Sequence, residues 1–167
     1  AWRPRAKVKE VQHPKFYLFD CGVIRALSRR LRESLDSAER GPLLETMVFH
    51  ELRAYVAYSG CGGELSYYRT PSGTEVDFIW SRGKHRIGIE VKASRHWRPE
   101  HGRALRDLRG EGVLTASHAV YFGDTPQQDG PVSVLPLYAF LEKLQAGQIL
   151  PAAKQARPEA RVRSVRR

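Results

Sequence analysis

Asp77 and the tripeptide Glu90-Val91-Lys92 are the residues whose types and spacing could do chemistry. Each lies in a stretch that alternates apolar and polar residues, 74–80 and 86–92, the pattern of half-buried strands. Side chains along a strand alternate faces. Val76, Phe78 and Trp80 therefore share one face and Glu75 and Asp77 the other, while Ile87, Ile89 and Val91 place Gly88, Glu90 and Lys92 opposite their own apolar face. A four-residue loop, 82–85, sets residue 81 against 86 and hence Asp77 against Glu90, about 5 Å apart. Two carboxylates that close repel, and a divalent metal would relieve the repulsion. Mg²⁺ takes one or two carboxylates, a backbone carbonyl and waters. Lys92 beside it could orient or help deprotonate a water attacking a phosphodiester. Gly88, small and on the same face, would leave room for a nucleic-acid backbone. The competing reading is a solvated hairpin face whose charges happen to alternate, and spacing alone does not choose between the two.

A third acid is available on a helix predicted over 42–58, where Leu44, Met47, Val48, Leu52, Tyr55 and Val56 form an apolar stripe. Glu45 and Glu51 flank that stripe on opposite sides, so either could reach over the sheet edge. Either could also be plain helix-flank charge, and an acid in the first turn, as Glu45 would be, is favoured in any case. Arg69, ending the strand before the hairpin, pairs with Glu75 or Asp77 or else faces nucleic acid. Arg95, Trp97 and Arg98 form an ordinary surface loop or one lying against phosphates, with Trp97 stacking on a base. His96 and His101 flank that loop. His50 reads as solvated, His85 as a turn residue, Cys21 as a small core residue and Asp20 as a helix cap.

These residues need elements to hold them. Residues 16–19 read as a short strand, and Val23, Ile24, Leu27, Leu31 and Leu35 recur at helical spacing. The helix after Gly41-Pro42 leads into strands 65–69, 74–80 and 86–92, with Pro71-Ser72-Gly73 as a turn signal. Pro99 opens a further helix, 118–122 and 132–135 read as short strands, and Pro136 starts a last helix. The plan is α/β: a helix, a three-strand antiparallel meander, a crossover helix and further strands in a mixed sheet.

The 167 residues suit one domain, expected over 15–150, between a basic lead-in (1–14) and a basic tail (151–167). No apolar run approaches the roughly 20 residues of a membrane helix, and the N-terminus lacks a signal-peptide core. Cys21 and Cys61 stand apart with no C-x-x-C pairing, which excludes a zinc knuckle or disulfide framework and makes the cytoplasm the expected setting. Net charge is +10, concentrated in nine Lys/Arg between Arg82 and Arg109 and six from Lys154 to Arg167. Such patches attract phosphate backbones, although solvated surface accounts for them equally well. There is no phosphate-binding loop of the G-x-x-x-x-G-K-[ST] type.

Taken together these residues resemble the PD-(D/E)XK nuclease superfamily, whose acid–(D/E)-x-K spacing is matched by Asp77 and Glu90-Val91-Lys92, with Val76 where the name has Pro. A closer resemblance is to the domain found C-terminal to the ATPase core of bacterial and archaeal AAA-type ATPases. It is carried by Lys15-Phe-Tyr-Leu-Phe-Asp20-Cys-Gly22-Val, the helix motif through Glu45, Val48 and Glu51-Leu52, Tyr68-Arg69 with Gly73-x-Glu75-Val-Asp77-Phe, Ile89-Glu-Val-Lys92-Ala-Ser94, Tyr121-Phe-Gly123-Asp124 and Val134-Leu-Pro136-Leu, over residues 15–145. By position it selects Glu45 over Glu51. The resemblance implies a restriction-endonuclease-like fold and Mg²⁺- or Mn²⁺-dependent hydrolysis of DNA, with Glu45, Asp77 and Glu90 holding metal and Lys92 positioning water. Cutting both strands of a duplex would call for a homodimer. It also implies an ATPase partner, so the chain is expected to be a fragment or a stand-alone relative of a longer protein. The alternative function is a non-catalytic module that docks DNA or a partner for an attached ATPase.

Overall fold

A computed structural model describes residues 14–151. The lead-in and tail fall, but for residues 14 and 151, outside the described residues. The strands β1 (Glu64–Arg69), β2 (Glu75–Arg82), β3 (His85–Lys92), β4 (Ala116–Tyr121), β5 (Gln127–Asp129) and β6 (Val132–Pro136) form one sheet of order β1-β2-β3-β4-β6-β5. The first three are an antiparallel meander. β4 then runs parallel to β3, β6 runs parallel to β4, and β5 closes the far edge antiparallel to β6. The helices are α1 (Cys21–Leu27), α2 (Ser37–Tyr58), α3 (Arg103–Gly110) and α4 (Leu137–Gln145), with a 3₁₀ turn at Pro99–Gly102 before α3. The α/β plan read from the sequence is therefore the one observed.

The apolar residues of the sheet are divided between two core clusters. Leu44, Val48 and Leu52 of α2 and Phe140 and Leu144 of α4 meet Phe78, Trp80, Ile87, Ile89 and Val91 on one face. On the other, Leu105 and Leu108 of α3 and Leu114 beyond it meet Val76, Ile79, Ala119 and Tyr121. Strands covered on both faces must be apolar on both. That explains why 76–80 and 87–91 are uniformly buried even at Asp77 and Glu90.

Several expectations need correction. Residues 16–19 form no strand: Tyr17 stacks on Phe49 of α2 at 4.3 Å and the Leu18 carbonyl faces His50, so side-chain contacts hold the segment instead of a ladder on the β1 edge. The helix expected to continue to Leu35 ends at Leu27, followed by Arg29 in the left-handed region (φ 59°). Leu27, Leu31 and Leu35 are exposed, so the helical spacing had no surface to pack on. Instead Arg30 gathers Glu33, Asp36 and Glu39. α2 starts five residues before Pro42, its N-terminus capped by the Asp36 carboxylate accepting from Glu39 N. Strand β5 has too little apolar character, Gln-Gln-Asp, to be visible in the sequence.

Gly88 also plays a different part from the one expected. A Cβ there would lie 2.6 Å from Leu114 Cδ1 and 2.7 Å from Leu105 Cδ2, so the space over Gly88 belongs to the α3 side of the core and not to a ligand. Gly88→Ala should therefore lower stability by about 1–3 kcal/mol through overpacking, measured by urea denaturation. A loss under about 0.5 kcal/mol would show that the two leucines give way freely.

Candidate active site

The β2–β3 ladder runs Arg82↔His85, Ser81↔Arg86, Trp80↔Ile87, Ile79↔Gly88, Phe78↔Ile89. This is the expected register, but Arg82 and His85 pair within it, so the connection is the two residues Gly83-Lys84 and not the expected four; Asp77 and Glu90 come next beyond its last rung. On the other side of β2 the register slips: Ser66 opposes Ile79 but Tyr68 opposes Val76, leaving Tyr67 alone against Asp77 and Phe78. A bulge of this kind bends a strand and re-aims its side chains. It moves Val76 into the α3-side cluster, away from Phe78 and Trp80, which corrects the expectation that all three share a face. It also frees the Asp77 carboxylate to replace a ladder partner, so that Asp77 Oδ2 accepts from Val91 N at 2.9 Å.

The other Asp77 oxygen meets Lys15, whose sequence context shows no sign of this role. Lys15 Nζ lies 3.0 Å from Asp77 Oδ1, 2.8 Å from Glu45 Oε1 and 2.6 Å from Glu75 Oε1. Glu45 reaches this point from α2 with Phe49 one turn on, and Tyr17 uses both: its ring stacks on Phe49 while its hydroxyl donates to Glu45 Oε1. Glu45 is thus the helix acid that joins Asp77, whereas Glu51 lines a separate apolar groove with Phe19 and Met47. Burial by itself would lower the Lys15 pKa, but the Asp77 charge and hydrogen bonds to Glu45 and Glu75 raise it well above the usual range. Burial raises the Tyr17 hydroxyl, as does its bond to Glu45.

Glu90 and Lys92 stand two apart on β3. Lys92 Nζ donates to Glu90 Oε1 at 2.5 Å, while Glu90 Oε2 is buried with no hydrogen-bond partner. Burial, followed by the Asp77 charge, pushes Glu90 up to about 8. Asp77 too is raised, by burial first, against the lowering pull of Lys15. For Lys92, the charge of Glu90 and its hydrogen bond outweigh burial and raise the pKa, so its ammonium is a donor and not a base. Glu90 and Lys92 open into a groove of about 540 Å³ between the β1–β2 turn and the start of α3, with Glu75, His101 and Arg103 among its walls.

The residues expected at nucleic acid are more dispersed. Arg69 opposes Glu75 in the ladder, with its Nε 3.6 Å from Glu75 Oε2, which is the structural pairing. Arg95 and Arg98 are exposed, Arg98 at the rim near Glu100 (3.9 Å). Trp97 is anchored: its Nε1 donates to Asp129 Oδ2 at 2.9 Å, and its ring packs on the α3-side cluster and edge-on to His101. The structure gives Trp97 the role of anchoring this loop. His50 is not solvated, because its Nε2 lies 2.6 Å from Leu18 O and tethers the 14–20 segment to α2. Cys21 is half-buried against Leu43 O, and Asp20 caps α1 as expected. Both cysteines are free.

Among the described residues no three His, Cys, Asp or Glu side chains are arranged to hold a metal ion. The reason is visible in the distances. Glu45, Glu75 and Asp77 are spaced around an ammonium at 2.6–3.0 Å, wider than the roughly 2.1 Å that Mg²⁺ requires. The donor chemistry nevertheless fits a hard cation: the donors are carboxylate oxygens, one buried oxygen lacks a partner, and Lys15 already stands in as a positive charge.

A family model described as "Domain of unknown function (DUF4143)" matches residues 40–140, more than half of the chain. The match takes in most of α2, the whole meander, α3 and β4 to β6. No curated protein and no solved structure matches the chain. Among the described residues no helix is long and apolar enough to cross a membrane.

The position of Glu90 has a consequence for stability. Its folded pKa lies above the ordinary value of 4.5, so between about pH 4.5 and 8 the native state holds a proton the unfolded chain releases. Stability from this source is full at pH 4.5 and falls as pH rises through 8. In EDTA, Glu90→Gln should gain on the wild type by more than about 1 kcal/mol between pH 5 and pH 8.5, read from denaturation curves at the two pH values. A stability difference that stays constant with pH would mean that Glu90 titrates like a surface acid.

Proposed function

The chain belongs to the DUF4143 family, and from that premise we propose that its domain is a PD-(D/E)XK-like nuclease hydrolysing phosphodiester bonds of DNA with Mg²⁺ or Mn²⁺. The observation that carries this reading is the convergence of two buried acids from adjacent strands, Asp77 and Glu90, with Glu45 from α2 and the ammonium of Lys92. Burying paired carboxylates is costly unless cations compensate them. Their raised proton affinity marks a site still short of positive charge.

In this proposal Asp77 and Glu90 hold the cation, with Glu45 as the third acid. When bound, the cation would polarise the phosphoryl group and make water a better nucleophile at neutral pH. Lys92, kept charged by Glu90, donates a hydrogen bond to the attacking water or to a phosphoryl oxygen and so fixes the line of attack. The groove beside Glu90 and Lys92 admits the scissile strand, and the exposed Arg95 and Arg98 lie in the loop that follows β3, where they can meet neighbouring phosphates. An ATPase in the same protein, and a dimer that would cut both strands, belong to this proposal through the family resemblance.

One observation favours a second reading. Lys15 already compensates Glu45, Glu75 and Asp77, as a purely structural ion cluster would. The domain would then bind DNA or a partner for an attached ATPase without cleaving. Incubation of supercoiled, linear and branched DNA with Mg²⁺, Mn²⁺ or EDTA separates the two. Metal-dependent nicking should fall by about a hundredfold or more in Asp77→Ala and Lys92→Ala. DNA binding that weakens with salt but ignores metal, with no nicking, would establish the second reading.

A further inference from the structure

The lysine at the acid cluster belongs to a segment with an unusual attachment. Residues 14–20 carry neither helix nor strand. The segment is held to the domain by Lys15 on Glu45, Glu75 and Asp77 and over the Tyr67 ring, by Tyr17 on Glu45, Phe49 and Phe78, and by the Leu18 carbonyl on His50. Between and beyond these, Phe16 and Phe19 turn outward, 84% and 74% exposed. Lifting the strap would uncover the Tyr17 ring and its Phe49 and Phe78 partners.

The strap's ammonium and a divalent cation compete for the same oxygens. Asp77 Oδ2 is committed to Val91 N, so Asp77 Oδ1 is the oxygen left for a cation, and Lys15 takes it. Glu45 Oε1 accepts from Lys15 and Tyr17 together. A Mg²⁺ or Mn²⁺ seated at about 2.1 Å from these oxygens would face the Lys15 ammonium inside van der Waals range, in a partly desolvated site where like charges repel strongly.

Resting on the metal reading above, the geometry points to Lys15 as an internal counter-ion that closes the acid site: docking of the 14–20 strap and loading of a divalent cation exclude each other. In the closed state the ammonium neutralises Asp77, Glu45 and Glu75 together. Loading withdraws Lys15, which takes Tyr17 and its bond to Glu45 along with it. Whatever holds the strap away, or draws it down, sets the affinity for metal.

The test is Mn²⁺ binding to the full chain by isothermal titration calorimetry, comparing wild type with Lys15→Met and with Asp77→Asn. Lys15→Met keeps the length of the side chain and removes its charge. It should bind Mn²⁺ at least about tenfold more tightly than wild type, while Asp77→Asn loses the site. A second measurement needs no variant. Added Mn²⁺ should accelerate tryptic cleavage at the Lys15–Phe16 bond of the wild type, relative to cleavage in EDTA. Equal Mn²⁺ affinity in wild type and Lys15→Met, or cleavage at Lys15 indifferent to Mn²⁺, overturns the strap and leaves the metal reading standing. Absence of Mn²⁺ binding in wild type and Lys15→Met alike overturns both.

Discussion

The structure turns on the burial of Asp77 and Glu90 side by side in the middle of a sheet. Removing two carboxylates from water is expensive, and each raises the other's proton affinity. The protein meets this with cations from both sides. Lys92 serves Glu90 from the next position of the same face, and Lys15 serves Asp77 from a segment 62 residues away in sequence. A backbone N–H, that of Val91, adds the remaining donor to Asp77. Even so, one oxygen of Glu90 stays without a partner, and burial and the Asp77 charge push the Glu90 carboxyl up to about 8. An electrostatic demand of this size in the core has no packing advantage over apolar residues, which is why a functional reading of the pair is worth making.

The rest of the fold can be traced to holding that pair. The two central strands are covered on both faces, by α2 and α4 on one side and α3 on the other, so the acids sit where water is scarce. α2 is long enough to cover the sheet and still present Glu45, its ninth residue, one turn before the Phe49 that supports Tyr17. The bulge at Asp77–Phe78 lets one strand serve the apolar core and the acid cluster in consecutive residues. On the opposite side, Leu105 and Leu114 close over Gly88 and fix how near α3 may come, which sets the width of the groove beside Glu90 and Lys92.

The same ion geometry serves two ends. A lysine among three carboxylates anchors a strap that has few other contacts, and it holds the acids in a spacing suited to an ammonium. Smaller, doubly charged ions need those oxygens closer together. In the proposed reading, structural anchoring and metal loading would be alternatives at a single set of atoms, with the balance set by how firmly the 14–20 segment is held.

Much of this was legible in the sequence. Alternation in 74–80 and 86–92 determines the β2–β3 register, because a shift of one residue would turn every apolar side chain to the wrong face, whereas the length of the turn, two residues and not four, was not legible. The acids Asp77 and Glu90 and the lysine beside them follow from that register, and the stripe of α2 limits the third acid to Glu45 or Glu51. Tertiary structure decided what local pattern could not carry. Leu31 and Leu35 keep helical spacing without a surface to pack on, so the first helix stops at Leu27. The bulge depends on how Tyr67 sits on the neighbouring strand, a relation between residues about ten positions apart with no local signature. The choice of Glu45 over Glu51, the enclosure of Gly88 by Leu105 and Leu114, and above all the arrival of Lys15 among three carboxylates are contacts between distant segments. Periodicity reports which face a side chain takes, but a charge 62 residues away enters only when the chain has closed around it.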